Sequence, residues 1–225
     1  MTSCPHTDDP KNSWPKVGER TFFGSDFVEV YAHAKLPTAF GEFELFTFRN
    51  SIDTFEHVAL VHGNVANKAE VPVRLHSECL TGDVFGSLRC DCREQLTHAL
   101  TSLGKADYGM LLYMRQEGRG IGLGNKVRAY ALQQQQGLDT VDANRHLGFD
   151  DDLRDYRVAA WILQIFAPKS VQILTNNPRK IFGLTSHGVN ISGREPLVID
   201  PNPHNVDYLR TKAEKSGHLL PFKRS

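Results

Sequence analysis

Hydrophobic positions along the chain fall into short blocks, and the spacing inside each block separates strand from helix. Apolar runs bounded by Gly, Asp, Asn or charged residues predict strands at Phe43–Phe48, His57–His62, Val71–Leu75 and Tyr108–Met114. Two more are predicted at Val171–Leu174 and Pro196–Ile199. Leu96, Leu100 and Leu103 recur at i, i+4 and i+7, which predicts a helix over Arg93–Leu103. Val127, Tyr130 and Ala131 share one side of a second helix over Asn125–Gln136. Val158, Ile162, Ile165 and Phe166 stripe a third over Leu153–Phe166. Val206–Lys215 reads as a short amphipathic helix stopped by Gly217. Ahead of Phe27 there is no period. Pro5, Pro10 and Pro15 stand among Asp8, Asp9, Lys11 and Asn12, so residues 1–26 are expected to form a flexible arm. No repeat or low-complexity tract divides the rest. Residues 27–225 are therefore expected to form one compact domain of mixed α/β (α+β) class, a mixed sheet with helices around it.

Composition narrows the function classes. The chain has 225 residues, 40% hydrophobic and 23% charged, an ordinary globular balance. It lacks an apolar run of about 18 residues, the length a membrane helix needs. Met1–Arg20 lacks the apolar core of a secretory signal, so a cytoplasmic location and no membrane partner are expected. Its 26 Lys+Arg cancel 26 Asp+Glu, which argues against sequence-independent nucleic-acid binding.

The cysteines change the picture more. Cys4 stands alone, whereas Cys79, Cys90 and Cys92 lie within fourteen residues. Without a secretory signal, clustered thiols favour a metal over disulfides. Three thiolates suit zinc and leave a tetrahedral shell one ligand short, and such an open position lowers the pKa of a bound water to about 7. His76, Glu78 and Asp83 are candidates to handle protons there. The alternative is three buried small hydrophobes, and Cys4 is a weak candidate for a fourth ligand. His76-x-Glu78 also suggests a nucleobase deaminase, but the required P-C-x-x-C is missing.

Two segments suggest anion binding. After the strand ending at Met114, glycines 118, 120, 122 and 124 alternate with Arg115, Arg119, Lys126 and Arg128. Closely approaching backbone N–H groups ahead of a helix favour a phosphate, although a solvated loop would look the same. The run is neither a Walker A loop nor a clean dinucleotide fingerprint. Thr175-Asn-Asn-Pro-Arg-Lys180 reads as a strand-to-helix turn with a hydroxyl and an ammonium in reach, or as an ordinary helix cap. Asp150–Asp152 before a helix are capping acids, or else Asp152 and Arg154 form a proton acceptor and an anion clamp.

Taken in order, R-x-H-S-E-C-L-T-G-D, S-L-R-C-D-C, R-Q-E-G-R-x-I-G-L, N-K-x-R-A-Y-A-L-Q, A-N-x-x-L-G-F, T-N-N-P-x-K and T-K-A-E-K-x-G-H-L-L resemble GTP cyclohydrolase II, from about Ala34 to Leu220. The resemblance implies Cys79, Cys90 and Cys92 as ligands of one Zn²⁺. It implies GTP contacts from Arg74, Leu75, His76, Ser77, Glu78, Gln95, Glu117, Gly118, Arg119, Thr140, Thr175 and Lys180. It casts Asp152 as proton acceptor, Arg154 as nucleophile toward the α-phosphate, and Tyr130 as the active-site tyrosine. The implied reaction takes GTP to 2,5-diamino-6-(5-phosphoribosylamino)pyrimidin-4(3H)-one, formate and diphosphate, the first step of riboflavin biosynthesis. Mg²⁺ would accompany the triphosphate, and the enzyme would be a homodimer. A guanidinium stays protonated to above about pH 12, which favours a charge clamp held by Asp152 over covalent attack by Arg154. Arg93, Gly120, Gly124 and the Gln133–Gln136 run depart from the family pattern. Two other readings stay open: a paralogue that opens the guanine ring without deformylation, and a non-catalytic zinc-stabilised nucleotide or RNA binder.

Overall fold

The computed structural model describes residues 14–222, so Cys4 and residues 1–13 of the expected arm lie outside the described residues. Eight strands form one sheet, β1 (Arg20–Phe23), β2 (Asp26–Thr38), β3 (Gly41–Asn50), β4 (His57–His62), β5 (Val71–Ser77), β6 (Gly109–Met114), β7 (Val171–Leu174) and β8 (Ile191–Glu195). Seven helices accompany them, α1 (Leu80–Asp83), α2 (Cys92–Lys105), α3 (Gly122–Gln136), α4 (Thr140–His146), α5 (Arg157–Ile165), α6 (Pro178–Thr185) and α7 (Val206–Glu214). The strand order is β1-β2-β3-β4-β6-β5-β7-β8. From β1 to β6 neighbours run antiparallel; from β6 through β5 and β7 to β8 they run parallel. The mixed sheet expected from the sequence is thus two kinds of sheet joined at β6.

The sheet has a helix layer on each face. On one, α5 lays Val158, Ala159, Ile162 and Leu163 against Phe46, Phe48, Ala59, Val73 and Leu112. On the other, Ala99 and Leu103 of α2 meet Phe43 and Leu111. Inside the parallel half, β5, β6 and β7 are buried on both sides and read as nearly continuous apolar runs. Two polar exceptions in β5, Arg74 and His76, are 4% and 2% exposed. Their burial at the carboxyl ends of parallel strands is where α/β sheets place ligands.

Four differences from the sequence reading have physical reasons. Arg20–Phe23, inside the expected arm, form β1 against β2, where Phe23 stacks on Trp161 at 4.7 Å. β2 itself escaped notice because its register shifts between Val30 and Ala32, which breaks the alternation. The third predicted helix starts at Arg157 rather than Leu153, because Asp152 and Asp155 bond their own downstream backbone N–H groups and hold residues 152–155 out of a helix. The last strand runs over Ile191–Glu195, ahead of the predicted Pro196–Ile199; as a sheet edge with polar residues it lacks an apolar signature.

Candidate active site

The carboxyl ends of β5, β6 and β7 open into a cleft of roughly 1000 Å³, counted out into open solvent. Each wall comes from a different stretch of chain. β5 ends in His76 and Ser77, and Glu78 and Cys79 lead at once into α1. Gly82 of α1 is the reason the thiols can meet. A Cβ there would lie 2.8 Å from the Cys90 sulfur and 3.2 Å from that of Cys79. With only hydrogen in that space, the sulfurs of Cys79, Cys90 and Cys92 gather within 4.8 Å of one another.

The trio passes a geometric test for zinc. Four sulfurs at about 2.3 Å from a tetrahedral zinc lie about 3.8 Å apart, and Cys79 and Cys90 are 3.7 Å apart. The surroundings favour thiolate at Cys79, while bonding to that sulfur and burial push the Cys90 and Cys92 thiols up. Hydrogen bonds from the Cys90 and Cys92 thiols, joined by the Lys126 ammonium 3.1 Å away, hold the Cys79 thiol far below its ordinary range. Burial alone would discharge Lys126, but the Cys79 thiolate and Glu117, 2.8 Å away, keep it charged. Lys126 therefore partners a ligand sulfur instead of acting as a simple phosphate clamp.

Around this centre the polar groups interlock. The Asp83 carboxylate accepts from the Cys79 N–H at 3.0 Å and from the Tyr113 hydroxyl at 2.8 Å, and pairs with His76 Nε2 at 3.1 Å. Buried His76 is held neutral, burial being the largest cause, and its Nδ1 has no partner among the described residues. Glu117 brackets two loops, accepting from Leu80 N at 2.6 Å, Gly118 N at 2.7 Å and Lys126. Gly118 and Arg119 both take left-handed backbone, at φ 63° and 60°. Gly120, a departure from the family pattern, fits tightly: a Cβ there would stand 3.1 Å from the Leu153 backbone. Tyr130 of α3 lines the cleft with the Arg89 guanidinium 4.6 Å above its ring, and burial keeps its hydroxyl protonated.

The far wall is cationic. Arg154 grips Asp152 through two bonds of 2.8 and 2.6 Å and reaches Ser77 Oγ at 3.2 Å. Burial opposes its charge, but the Asp152 carboxylate holds it firmly protonated. Asp152 sits behind Arg154 and is not on the cleft wall. On α6, Asn177 caps the helix by accepting from Arg179 N at 2.9 Å, and Pro178 fills the first turn. Lys180, 5% exposed, donates to the Leu75 carbonyl at 2.6 Å. Burial first, then Arg74 and Arg154, pushes its pKa well down. Arg74 bonds Gln95 at 2.5 Å and the Leu174 carbonyl at 2.9 Å. Arg119 pairs with Asp151 and reaches Ser216 Oγ at 3.1 Å. Arg74 Nε and Arg119 Nη2 are buried donors with no acceptor among the described residues.

Of the residues that the family resemblance implied, the cleft brings together all but two. Asp152 stands behind the wall. Leu75 is buried in the core and offers the site only its carbonyl. Arg115 and Arg128, expected in the anion loop, turn away to Glu78 and Asn125. Sequence reasoning missed Asn144, Asn176, Tyr208, Lys212 and His218, which also line the cleft. It missed Asp91 too, which joins Lys212 to Gln95. The T-K-A-E-K-x-G-H run was visible as a pattern, but nothing in its spacing tied it to the thiols.

Comparison with known proteins agrees with this geometry. A family model described as GTP cyclohydrolase II matches residues 29–196. GTP cyclohydrolase-2 of Picrophilus torridus is 52% identical over 193 residues, covering 86% of this chain and 100% of that protein. Riboflavin biosynthesis protein RibBA of Bacillus subtilis is 54% identical over 196 residues, and that of Endomicrobium trichonymphae 51% over 194. These cover 87% and 86% of this chain but only 49% and 48% of the RibBA proteins, so the chain spans about half their length. A solved two-domain 3,4-dihydroxy-2-butanone 4-phosphate synthase, RibBX from A. baumannii, aligns with 77% of this chain and 40% of its own at TM-score 0.43 and 20% identity, too distant to bear on the fold. With a family match over most of the chain and a relative 52% identical along its full length, this chain belongs to the GTP cyclohydrolase II family.

Proposed function

We propose that the chain converts GTP to 2,5-diamino-6-(5-phosphoribosylamino)pyrimidin-4(3H)-one, formate and diphosphate. The observation that carries this reading is the meeting of an open site of three cysteine sulfurs with a cationic wall in one cleft. Six Lys and Arg side chains line it against two carboxylates, so a polyanion is favoured even after the thiolates are counted. Cys79, Cys90 and Cys92 would hold Zn²⁺, which when bound supplies a Lewis acid and activates water at neutral pH.

The chain's own residues do the rest. Tyr130, kept protonated, is placed to donate a proton beside the thiols. Unpartnered donors on Arg74 and Arg119 offer bonds to phosphate oxygens. Arg154, locked in its charged form by Asp152, opposes the charge that develops as diphosphate leaves. Its protonation and its two hydrogen bonds to Asp152 favour this clamp over covalent attack. Mg²⁺ would travel with the triphosphate. Exposed Val84, Phe85 and Leu88, beside the thiol loop, are consistent with pairing of two copies. No described helix is long and apolar enough to cross a membrane; a cytoplasmic location and the absence of nucleic-acid partners remain part of the proposal.

Incubated with GTP, Mg²⁺ and Zn²⁺, the purified chain should release formate and diphosphate in equal amounts, and Cys90→Ser should release neither. A zinc-loaded protein that leaves GTP intact would overturn the reading. A product heavier by CO would assign ring opening without deformylation instead.

A further inference from the structure

α7 and the turn after it lie beyond residues 29–196, yet they close one side of the cleft. They are anchored at four points around it. Lys212 reaches Asp91, between two of the cysteines, at 3.0 Å. Ser216 accepts from Arg119 at 3.1 Å. The Leu219 N–H reaches the Asn176 carbonyl, in the turn ahead of α6, at 2.8 Å. Lys215 bonds Asp142 of α4 at 2.8 Å. Such anchoring leaves His218 facing the cleft, with its imidazole bonded to nothing among the described residues.

The basic groups that share the cleft with that ring come from four elements: Lys212 of α7, Arg119 of the turn before α3, Arg154 ahead of α5, and Lys180 of α6. Nearby carboxylates are engaged elsewhere, Asp91 with Lys212, Asp151 with Arg119, and Asp152 with Arg154. Burial and these four charges hold the imidazole neutral. An imidazole ringed by cations, with no acceptor of its own, is built to meet an anion. Phosphate oxygens only accept, so the ring would donate; by neutralising the surrounding cations, they would also let it take up a proton.

We infer that His218 contacts the substrate, donating a hydrogen bond to the polyphosphate of the nucleotide, and that the segment 206–220 is a working wall of the active site. This rests on the GTP-binding reading of the cleft. Calorimetry with inorganic tripolyphosphate and Mg²⁺, in two buffers of different ionisation enthalpy, tests it on the zinc-loaded full chain. Wild type should take up protons on binding. His218→Asn and His218→Gln should bind about tenfold weaker or worse, the worth of one hydrogen bond to a charged group, with the uptake reduced. Guanosine, which has no phosphate, should bind all three proteins alike, which also reports an intact cleft. Tripolyphosphate affinity within twofold of wild type in both variants would overturn the inference, as would an equal loss of guanosine binding. Failure of the cyclohydrolase reading shows separately, as GTP left unconsumed by wild type whatever His218 does for tripolyphosphate.

Discussion

A single hydrogen atom on Gly82 decides whether three sulfurs can share one ion. Adding a methyl group there would push against the Cys90 and Cys79 sulfurs at 2.8 and 3.2 Å, with no flexible side chain to yield. Gly82→Ala is expected to keep its fold but lose roughly tenfold or more in zinc affinity, the scale of a disturbed supporting shell; metal analysis after gel filtration measures it. At Arg154 the issue is charge against covalency. Arg154→Lys keeps a cation but gives up the two-pronged bond to Asp152. Diphosphate release should persist at a rate reduced about 10²- to 10³-fold, as for loss of one stabilising donor; complete loss would favour attack by the guanidinium. The three thiols were legible because they lie close in sequence. Asp91 and Lys212 were not, since a buried ion pair between residues 121 apart leaves no local pattern.

Among elements, those with strong period or punctuation were the ones the sequence revealed. Asn177-Pro178 marked the start of α6, and the structure shows the cap made by the Asn177 side chain. Removing it in Asn177→Ala should cost about 1 kcal/mol, or roughly 2–4 °C in melting temperature for a chain of this size, measured by calorimetry. Because the same turn presents Thr175, Asn176 and Lys180 to the cleft, KM for GTP should rise as well. α5 hid its true start because a site segment was spliced onto its front: Leu153 is 47% exposed and serves the loop, with its N–H bonded to the Arg119 carbonyl at 3.0 Å. Ile162, fully buried in the middle of α5, belongs to the core proper. Ile162→Ala should lower stability by about 2–5 kcal/mol with little change in KM, as denaturant unfolding and steady-state kinetics would show.

For the whole molecule, buried histidines set an acid limit. His76 and His218 are both held neutral in the folded chain, whereas an unfolded histidine protonates near about pH 6.5. Below that pH the unfolded chain binds more protons, so stability falls as pH falls. Asp53, Asp152 and Asp155, whose pKa values are lowered despite burial by bonds to His57, Arg154 and Arg157, add a second loss as pH drops below about 4. Melting temperature should therefore decline in two stages from pH 7 to pH 3, and His218→Asn should soften the first. The fold class and the one-domain layout were legible because α2 and α5 each carry a clear apolar stripe. The join between antiparallel and parallel halves was not, since pairing order is written in contacts between distant segments. That layout also orders events during synthesis. The thiols leave the ribosome long before α7, so a growing chain could take up its metal while the last wall of the cleft had yet to be made. The cleft that would receive a nucleotide is complete only once α7 has emerged.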